Sequence, residues 1–451
     1  MYCSLLNQLL RIGLAAALVC LPIQVLALEP FVKNTEGRLF QIQGSNTVGA
    51  NLMKNLLLDY FTAKGLEGVA AQELAIANEY RVGGTFNGRS IYVDVAAHGS
   101  STGFKALIAD QADLSMSSRP IKSKEVTRLS ESGDMRSFDA EHVIAIDGLA
   151  VIVHSDNAVH QLNLEQIAAV FSGNITNWKE LGGSDQPISL YARDDRSGTW
   201  DTFKSLVLRK RYKLSTAAQR FESNDELSDL VAADLGAIGF VGLASVRESR
   251  ALLVSDAGTT PLLPKKLSVA TEDYVLSRRL FLYTPPRSKT IHIQNFIDFV
   301  QTDSGQQQVE STGFISQALM ATRPDVLRQG PKDYLQTTQG ASRLSVNFRF
   351  AQGSATLDNK ARQDIQRLVA YMARDENKHQ QITLIGFGDV KQTESRAIVL
   401  SKLRAVAVKS ALRKYGVSTR PVQGFGAYLP VASNSASGKI KNRRVEVWVR
   451  E

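Results

Sequence analysis

Apolar positions along this 451-residue chain repeat with two periods that take turns. Leu39 to Gln43 reads as a short strand, after which Leu52, Met53, Leu56, Leu57, Tyr60 and Phe61 recur at helical spacing until Gly65 ends the run. The segment IYVDVAAHGSSTGFKALIADQADLSMSSRP, which starts at Ile91, alternates as a strand, breaks at Gly99 to Gly103 and resumes as a helix. Ile188 to Ala192 is a further strand, followed by Arg193 to Thr199 and a helical Trp200 to Arg209. Each time, a strand passes through a hydroxyl-rich turn into a helix, the rhythm of an α/β fold. Glu141 to Asp156 and Leu280 to Thr284 are strand-like and stand where a chain would cross between two lobes and return. This predicts a two-lobed domain over residues 39–318 that closes by a hinge, with crossings near 141–156 and 280–284.

Residues 319–342 are polar and without a period, which predicts a linker. Beyond it Leu344, Val346, Phe348 and Phe350 alternate as a half-buried strand, and Ala361, Ile365, Leu368, Val369 and Met372 form a helical stripe. Gln381 to Phe387 is another strand. A long helix carrying Leu400, Ala405, Val408, Ala411, Leu412 and Tyr415 follows, stopped by Gly416, and Val445, Val447 and Val449 share one face of a closing strand. The pattern over 343–451 is a small α/β unit of βαβα type plus one strand, large enough to fold alone.

The three turns of the first domain carry the chemistry. The first turn of a helix presents N–H groups without intrahelical partners, and small hydroxyl residues let an oxyanion approach them. Gly44-Ser45-Asn46-Thr47-Val48-Gly49, Gly99-Ser100-Ser101-Thr102-Gly103 and Arg193-Asp194-Asp195-Arg196-Ser197-Gly198-Thr199 all have this build, and the last adds arginines. Ser, Thr, Asn and Asp are also ordinary helix caps. Three such turns at strand C-terminal ends, where open α/β sheets bind ligands, point instead to one shared anion site.

Composition narrows the setting. Hydrophobic residues make up 43% and charged residues 22% of the chain, as in soluble globular proteins. Residues 1–27 hold a single charge, Arg11, followed by an apolar run and the small-residue exit Val25-Leu26-Ala27, which reads as a secretory signal peptide rather than an uncleaved anchor. Leu18-Val19 before Cys20 suit a lipoprotein signal poorly. Cys3 and Cys20 both lie in that segment, so the mature chain is expected to have no disulfide and to lack a transmembrane segment. Its formal charge of +9 becomes +8 with Arg11 removed. No basic run interleaved with aromatics is present, which argues for an anionic ligand or envelope surface over nucleic acid. Gly99 to Gly103 also satisfies the GxSxG elbow of serine hydrolases, with Ser101 as nucleophile and His142, His154, His160 or His292 as base, but that reading leaves the other two turns and Arg193 unexplained. His98 beside the turn has no His partner at ligand spacing, so no metal and no cofactor are expected.

The motifs GSNTVG at 44, GSSTG at 99, ADLSMSSRP at 112, FSGNITNW at 171, RDDRSGT at 193 and LGAIGFVG at 235 occur in the order found in a known family. Over residues 39–316 the chain resembles the PstS-like phosphate-binding proteins of ABC transporters, which have the type II periplasmic-binding-protein fold. The resemblance implies binding without catalysis, delivery to an ABC permease, and an anion held by Thr47 and Val48, Ser100, and Arg193 with Ser197, Gly198 and Thr199. A guanidinium fork with hydroxyl and N–H donors suits that task chemically. The family's Asp that accepts the proton of phosphate is matched by Ser118, which weakens the device that rejects sulfate; Asp194 or Asp195 are candidate substitutes.

FRFAQGSATLD at 348, IGFGD at 385, LSKLRA at 400 and NRRVEVWV at 442 make the C-terminal unit resemble the OmpA-like peptidoglycan-binding domain. That likeness implies that Asp389 grips the ammonium, and Arg404 the carboxylate, of diaminopimelate in the stem peptide. The family's Gly-His-Thr-Asp is Gly386-Phe387-Gly388-Asp389 here, and its Asn is Ala397, so a domain that has lost its ligand or taken a protein partner is the rival reading. The expectation is a periplasmic, wall-associated protein that binds inorganic phosphate or a similar tetrahedral oxyanion. The alternative is an envelope structural or adhesion protein with a repurposed binding fold.

Overall fold

The computed structural model describes residue 31 and residues 34–195, 197–323, 330–350 and 356–451. The signal peptide expected over 1–27, with Cys3 and Cys20, lies outside the described residues, as do 351–355 of the FRFAQGSATLD motif. The first strand, Gly37–Gly44, turns Phe40 and Ile42 into a core and runs parallel to Arg89–Ala96 on one side and Leu114–Ser117 on the other. Helices Leu52–Ala63 and Ile291–Gln301 cover it with Leu56, Tyr60, Phe296 and Phe299, all fully or almost fully buried. This is the core of the first lobe.

Two long antiparallel strands join the lobes. Glu141–Val153 pairs with Ser277–Tyr283 from Glu141↔Tyr283 to Gly148↔Ser277, then with Ala237–Gly242 from Leu149↔Gly242 to Val153↔Ile238. One strand is thus shared between the sheets of both lobes, and its partner changes between Gly148 and Leu149. The second lobe adds Ser189–Arg193 and Gln219–Phe221 beyond Ala237–Gly242 and packs Trp178, Phe171, Phe203 and Phe240 into its own core. Helix Gly198–Phe203 continues as a short π-helical stretch, Lys204–Leu208.

The C-terminal unit is a sheet in the order Ala321–Thr322, Ser342–Arg349, Arg444–Arg450, Gln381–Gly386, Gln423–Gly424, covered by helices Asn359–Ala373 and Glu394–Arg413. Leu344, Val346, Phe348, Val445, Val447 and Val449 face those helices as the alternation predicts. The other face of Ser342–Arg349 differs from expectation, because Ser345, Asn347 and Arg349 are buried rather than solvated. Ser345 bonds Met320 N and Ala318 O, while Asn347 and Arg349, with Arg343, pack on the loop Thr271–Asp273 of the second lobe. Arg343 Nη2 meets Asp273 Oδ2 at 2.8 Å, Asn347 Nδ2 donates to Asp273 Oδ1 at 2.8 Å, and Arg349 pairs with Glu272 at 2.9 Å. Arg279 of the second hinge strand joins the same network through Glu272 and Asp358.

Contacts reach the first lobe as well: Asn359 donates to the carbonyls of Arg136 and Ser137, and Arg367 to Gln317. Burial opposes ionisation of Glu272, yet Arg279, Arg349 and Lys360 outweigh it and hold the carboxyl at about 2. Residues 319–342, expected as a linker, include the helix Lys332–Thr338, whose Tyr334 stands edge-on to Phe387, Phe425 and Trp448 and donates to Glu446. A single anchoring aromatic in a polar segment leaves no period to read. No helix among the described residues is long and apolar enough to cross a membrane.

Candidate functional site

In the first lobe the turn after Gly37–Gly44 is built on close contact. A Cβ on Gly44 would lie 2.1 Å from the Met116 carbonyl oxygen, and its φ of +142° belongs to glycine, so this residue lets the chain leave the sheet while Ser45 N still bonds Met116 O at 2.9 Å. The one-turn helix Asn46–Gly49 then carries Thr47 and the buried Val48. Gly99 N donates to Gly44 O at 2.6 Å, which ties the second turn to the first. Helix Ser100–Ile108 starts at that point. Ser100 Oγ accepts from Ser118 N at 3.0 Å and lies 3.2 Å from Ser118 Oγ, so these two predicted positions are in direct contact.

In the second lobe Ser197 caps helix Gly198–Phe203 by accepting from Trp200 N at 3.3 Å. Thr199 follows on its first turn, half-buried. Gly198 faces Thr47 so closely that a Cβ on it would lie 1.7 Å from Thr47 Oγ1. The first and third turns, 151 residues apart in sequence, therefore touch across the cleft. Arg193 is buried but spends Nε and Nη2 on the carbonyls of Phe221 and Glu222. Burial lowers its pKa and Asp194 and Glu222 act against that. Asp195, one candidate to replace the missing acceptor, has a largely exposed carboxylate paired with Arg220 at 2.7 Å. Ser101, the hydrolase candidate, accepts from Arg119 Nη2, and His98 pairs with Glu79.

Sequence reasoning missed the two charged residues on the cleft floor. Arg278 and Asp147 are cross-strand neighbours on the two strands that join the lobes, with Arg278 Nε donating to Asp147 Oδ2 at 3.0 Å. Arg278 Nη2 donates to Thr47 Oγ1 at 3.0 Å and to Gly198 O at 2.8 Å. The available signal was a lone carboxylate inside VIAIDGLAVIV and an arginine opening SRRLFLY, charges in strands that otherwise read as core.

In the C-terminal unit Asp389 is almost fully buried and already engaged: Arg443 donates to both of its oxygens at 2.9 Å, and Lys391 Nζ to Oδ2 at 2.8 Å. Burial raises its pKa, but these hydrogen bonds prevail and hold the carboxyl well below the usual range. Arg404 is half-buried, with its guanidinium carbon 5.9 Å from the centre of the Phe350 ring. Burial and then Arg443 lower its pKa, with Asp389 opposing. Three cations thus surround one carboxylate. Among the described residues no cluster of His, Cys, Asp and Glu is arranged to hold a metal ion.

The family described as "PBP superfamily domain" matches residues 69–304, and "OmpA family" matches residues 349–444. The chain is similar to the phosphate-binding protein PstS of Borreliella burgdorferi, 28% identical over 225 residues that cover 49% of this chain and 77% of that protein. It is similar also to Protein SphX of Synechococcus elongatus, 28% identical over 268 residues, 56% of this chain and 76% of that one. A solved structure described as a possible phosphate binding protein from Planctomyces limnophilus superposes with a TM-score of 0.50 over 67% of this chain and 96% of that chain, at 24% identity, a likeness of fold.

Proposed function

The chain belongs to the PBP superfamily and carries an OmpA-family unit at its C-terminal end, and from this premise we propose that it is an exported receptor for inorganic phosphate, or a similar tetrahedral oxyanion, associated with peptidoglycan. The observation that carries the reading is the meeting of Thr47 from one lobe with Gly198 from the other. Two donor turns that converge across a hinge can surround an oxyanion as the lobes close. In this reading Thr47, Val48, Ser100 and Ser118 supply hydroxyl and N–H donors from the first lobe. Ser197, Gly198 and Thr199 do so from the second, with Arg193 contributing its charge. The similarity to phosphate-binding relatives supports phosphate as the anion. The resemblance of its motifs to those of ABC-transporter phosphate-binding proteins supports an ABC permease as a partner. Asp389 and Arg404 are the proposed contacts to the diaminopimelate of the stem peptide, supported by the OmpA-family match.

The test is calorimetric titration of phosphate, then sulfate, into the chain from residue 28 onward, unfolded and refolded beforehand to strip carried-over anion. Tight phosphate binding with sulfate silent is the expected outcome. Binding of neither anion refutes the receptor reading and leaves an envelope scaffold.

A further inference from the structure

The turns do not exhaust the groups that meet between the lobes. The geometry points to Arg278 as a direct ligand of the anion, contributed by the hinge strand Ser277–Tyr283 rather than by either lobe, with Asp147 as the residue that positions it. This rests on the phosphate reading above.

The manner in which Arg278 is paired is the first argument. Two arginines elsewhere in the protein show the alternative, a guanidinium turned flat onto one carboxylate: Arg81 gives Nε and Nη2 to Asp94 at 2.7 and 3.1 Å, and Arg119 gives Nη1 and Nη2 to Glu125 at 2.9 and 2.6 Å. Arg278 gives Asp147 only Nε and directs Nη2 onto Thr47 Oγ1 and Gly198 O, the two positions at which the lobes touch. Nη1 has no hydrogen-bond partner among the described residues. The outer edge of the fork, two donors side by side, therefore faces the junction of the donor turns, and such an edge fits two oxygens of one oxyanion.

Burial is the second argument. The Arg278 side chain is only 10% exposed, and its partner Asp147 only 11%. Keeping such a pair out of water costs stability that apolar residues in the same strand would not. A role in binding accounts for the cost.

Position is the third argument. Other cations nearby are committed elsewhere: Arg193 to the carbonyls of Phe221 and Glu222, Arg220 to Asp195 and Arg119 to Glu125. Arg278 sits one residue from the Ser277↔Gly148 pair, beside the point where the shared strand passes from one lobe to the other. A group at the pivot moves least when lobes rotate. An entering anion would then meet Arg278 first, exchange with the Gly198 carbonyl for Nη2, and draw Thr47 and the Ser197–Thr199 turn onto its remaining oxygens.

The experiment is calorimetry with inorganic phosphate on the refolded chain from residue 28, with melting temperature in phosphate-free buffer as the check on folding. Arg278→Gln should bind phosphate about 100-fold more weakly, the loss expected for two charge-assisted hydrogen bonds. Arg278→Lys, which keeps the charge without the fork, should fall between. Asp147→Asn should lose less than Arg278→Gln, and Asp147→Glu should restore most of that loss, since a carboxylate can still hold Nε. Wild-type affinity in Arg278→Gln overturns the inference and leaves the phosphate reading intact. If Arg278→Gln fails to fold, wild-type affinity in Arg278→Lys overturns it instead. A wild-type chain that binds no phosphate removes the reading and the inference together.

Discussion

Gly198→Ala isolates the closing of the cleft from everything else in the protein. The added Cβ would lie 1.7 Å from Thr47 Oγ1, 2.6 Å from its Cβ and 2.7 Å from its Cα. Truncating Thr47 to Ala relieves only the first of these contacts, so the clash is with the body of the residue and not with a rotatable tip. Restoring van der Waals distance requires the second-lobe turn to retreat by about 2 Å, which breaks the 2.8 Å bond from Arg278 to the Gly198 carbonyl. It also withdraws the Ser197–Thr199 donors from any oxyanion held by Thr47. Losing about two charge-assisted bonds at about 1.5–3 kcal/mol each weakens binding by a factor on the order of 10² to 10⁴. The backbone does not oppose the change, since Gly198 is a first-turn helical residue with no positive φ, and alanine there favours the helix by up to about 1 kcal/mol. The melting temperature without phosphate should therefore fall only modestly, by the lost Arg278–Gly198 bond of about 1.5–3 kcal/mol less the helix gain, while the stabilisation by added phosphate, about 4 kcal/mol at 1,000 times Kd for the wild type, largely disappears. Calorimetry and melting curves with and without phosphate read both quantities. Wild-type affinity in Gly198→Ala would refute the claim that these two turns close on the anion.

Three further outcomes follow from other parts of the molecule. Arg349→Met leaves Glu272 without one of its buried partners in the interface between the units and should cost about 3–5 kcal/mol, seen as an earlier and less cooperative melt; an unchanged melt would show that the interface does not contribute to stability. His142 is held at about 4 by burial and by repulsion from Lys289, with the Asp139 carbonyl opposing, so the unfolded chain takes up a proton that the folded one refuses as pH falls from 6.5 to 4. Stability should drop through that window and drop less in His142→Gln; parallel melting-temperature profiles for the two proteins would contradict this. In the C-terminal unit Lys391 Nζ occupies Asp389 Oδ2 at 2.8 Å, the place an incoming ammonium needs, so Lys391→Thr should increase retention on purified peptidoglycan and Asp389→Ala should abolish it, and equal retention of both variants would exclude this pocket as the wall contact.

What could be read from the sequence was what a repeating local signal encodes. The strand–turn–helix units at Gly44, Gly99 and Arg193 each announce themselves by an apolar period that changes at glycine and hydroxyl residues, and the structure builds a strand and a helix on either side of each. The same holds for Leu344, Val346 and Phe348, which face a core as their alternation predicts. The partners of the residues between them were not legible. Arg343, Asn347 and Arg349 have the pattern of a solvated strand face, and nothing local distinguishes water from the Thr271–Asp273 loop as the surface they meet. Arg193 likewise looked free to hold an anion because the carbonyls that take its fork lie at Phe221 and Glu222, far along the chain.

The hinge strand shows why one level of pattern is insufficient. In Ser277–Tyr283 the consecutive arginines 278 and 279 point to opposite faces, as neighbours in a strand must. Arg278 reaches Asp147, Thr47 and Gly198 in the cleft, and Arg279 reaches Glu272 and Asp358 at the seam with the C-terminal unit. A single element therefore carries the charge that meets the donor turns on one face and the charge that fastens the C-terminal unit on the other. That unit contacts Arg136 and Ser137 of the first lobe and Asp273 of the second, so it spans the hinge from outside while Arg278 spans it from within. Any rotation of the lobes must then be accommodated at both faces of the same strand, because the two-lobed domain and the C-terminal unit meet on it through Arg279 while Arg278 meets the donor turns.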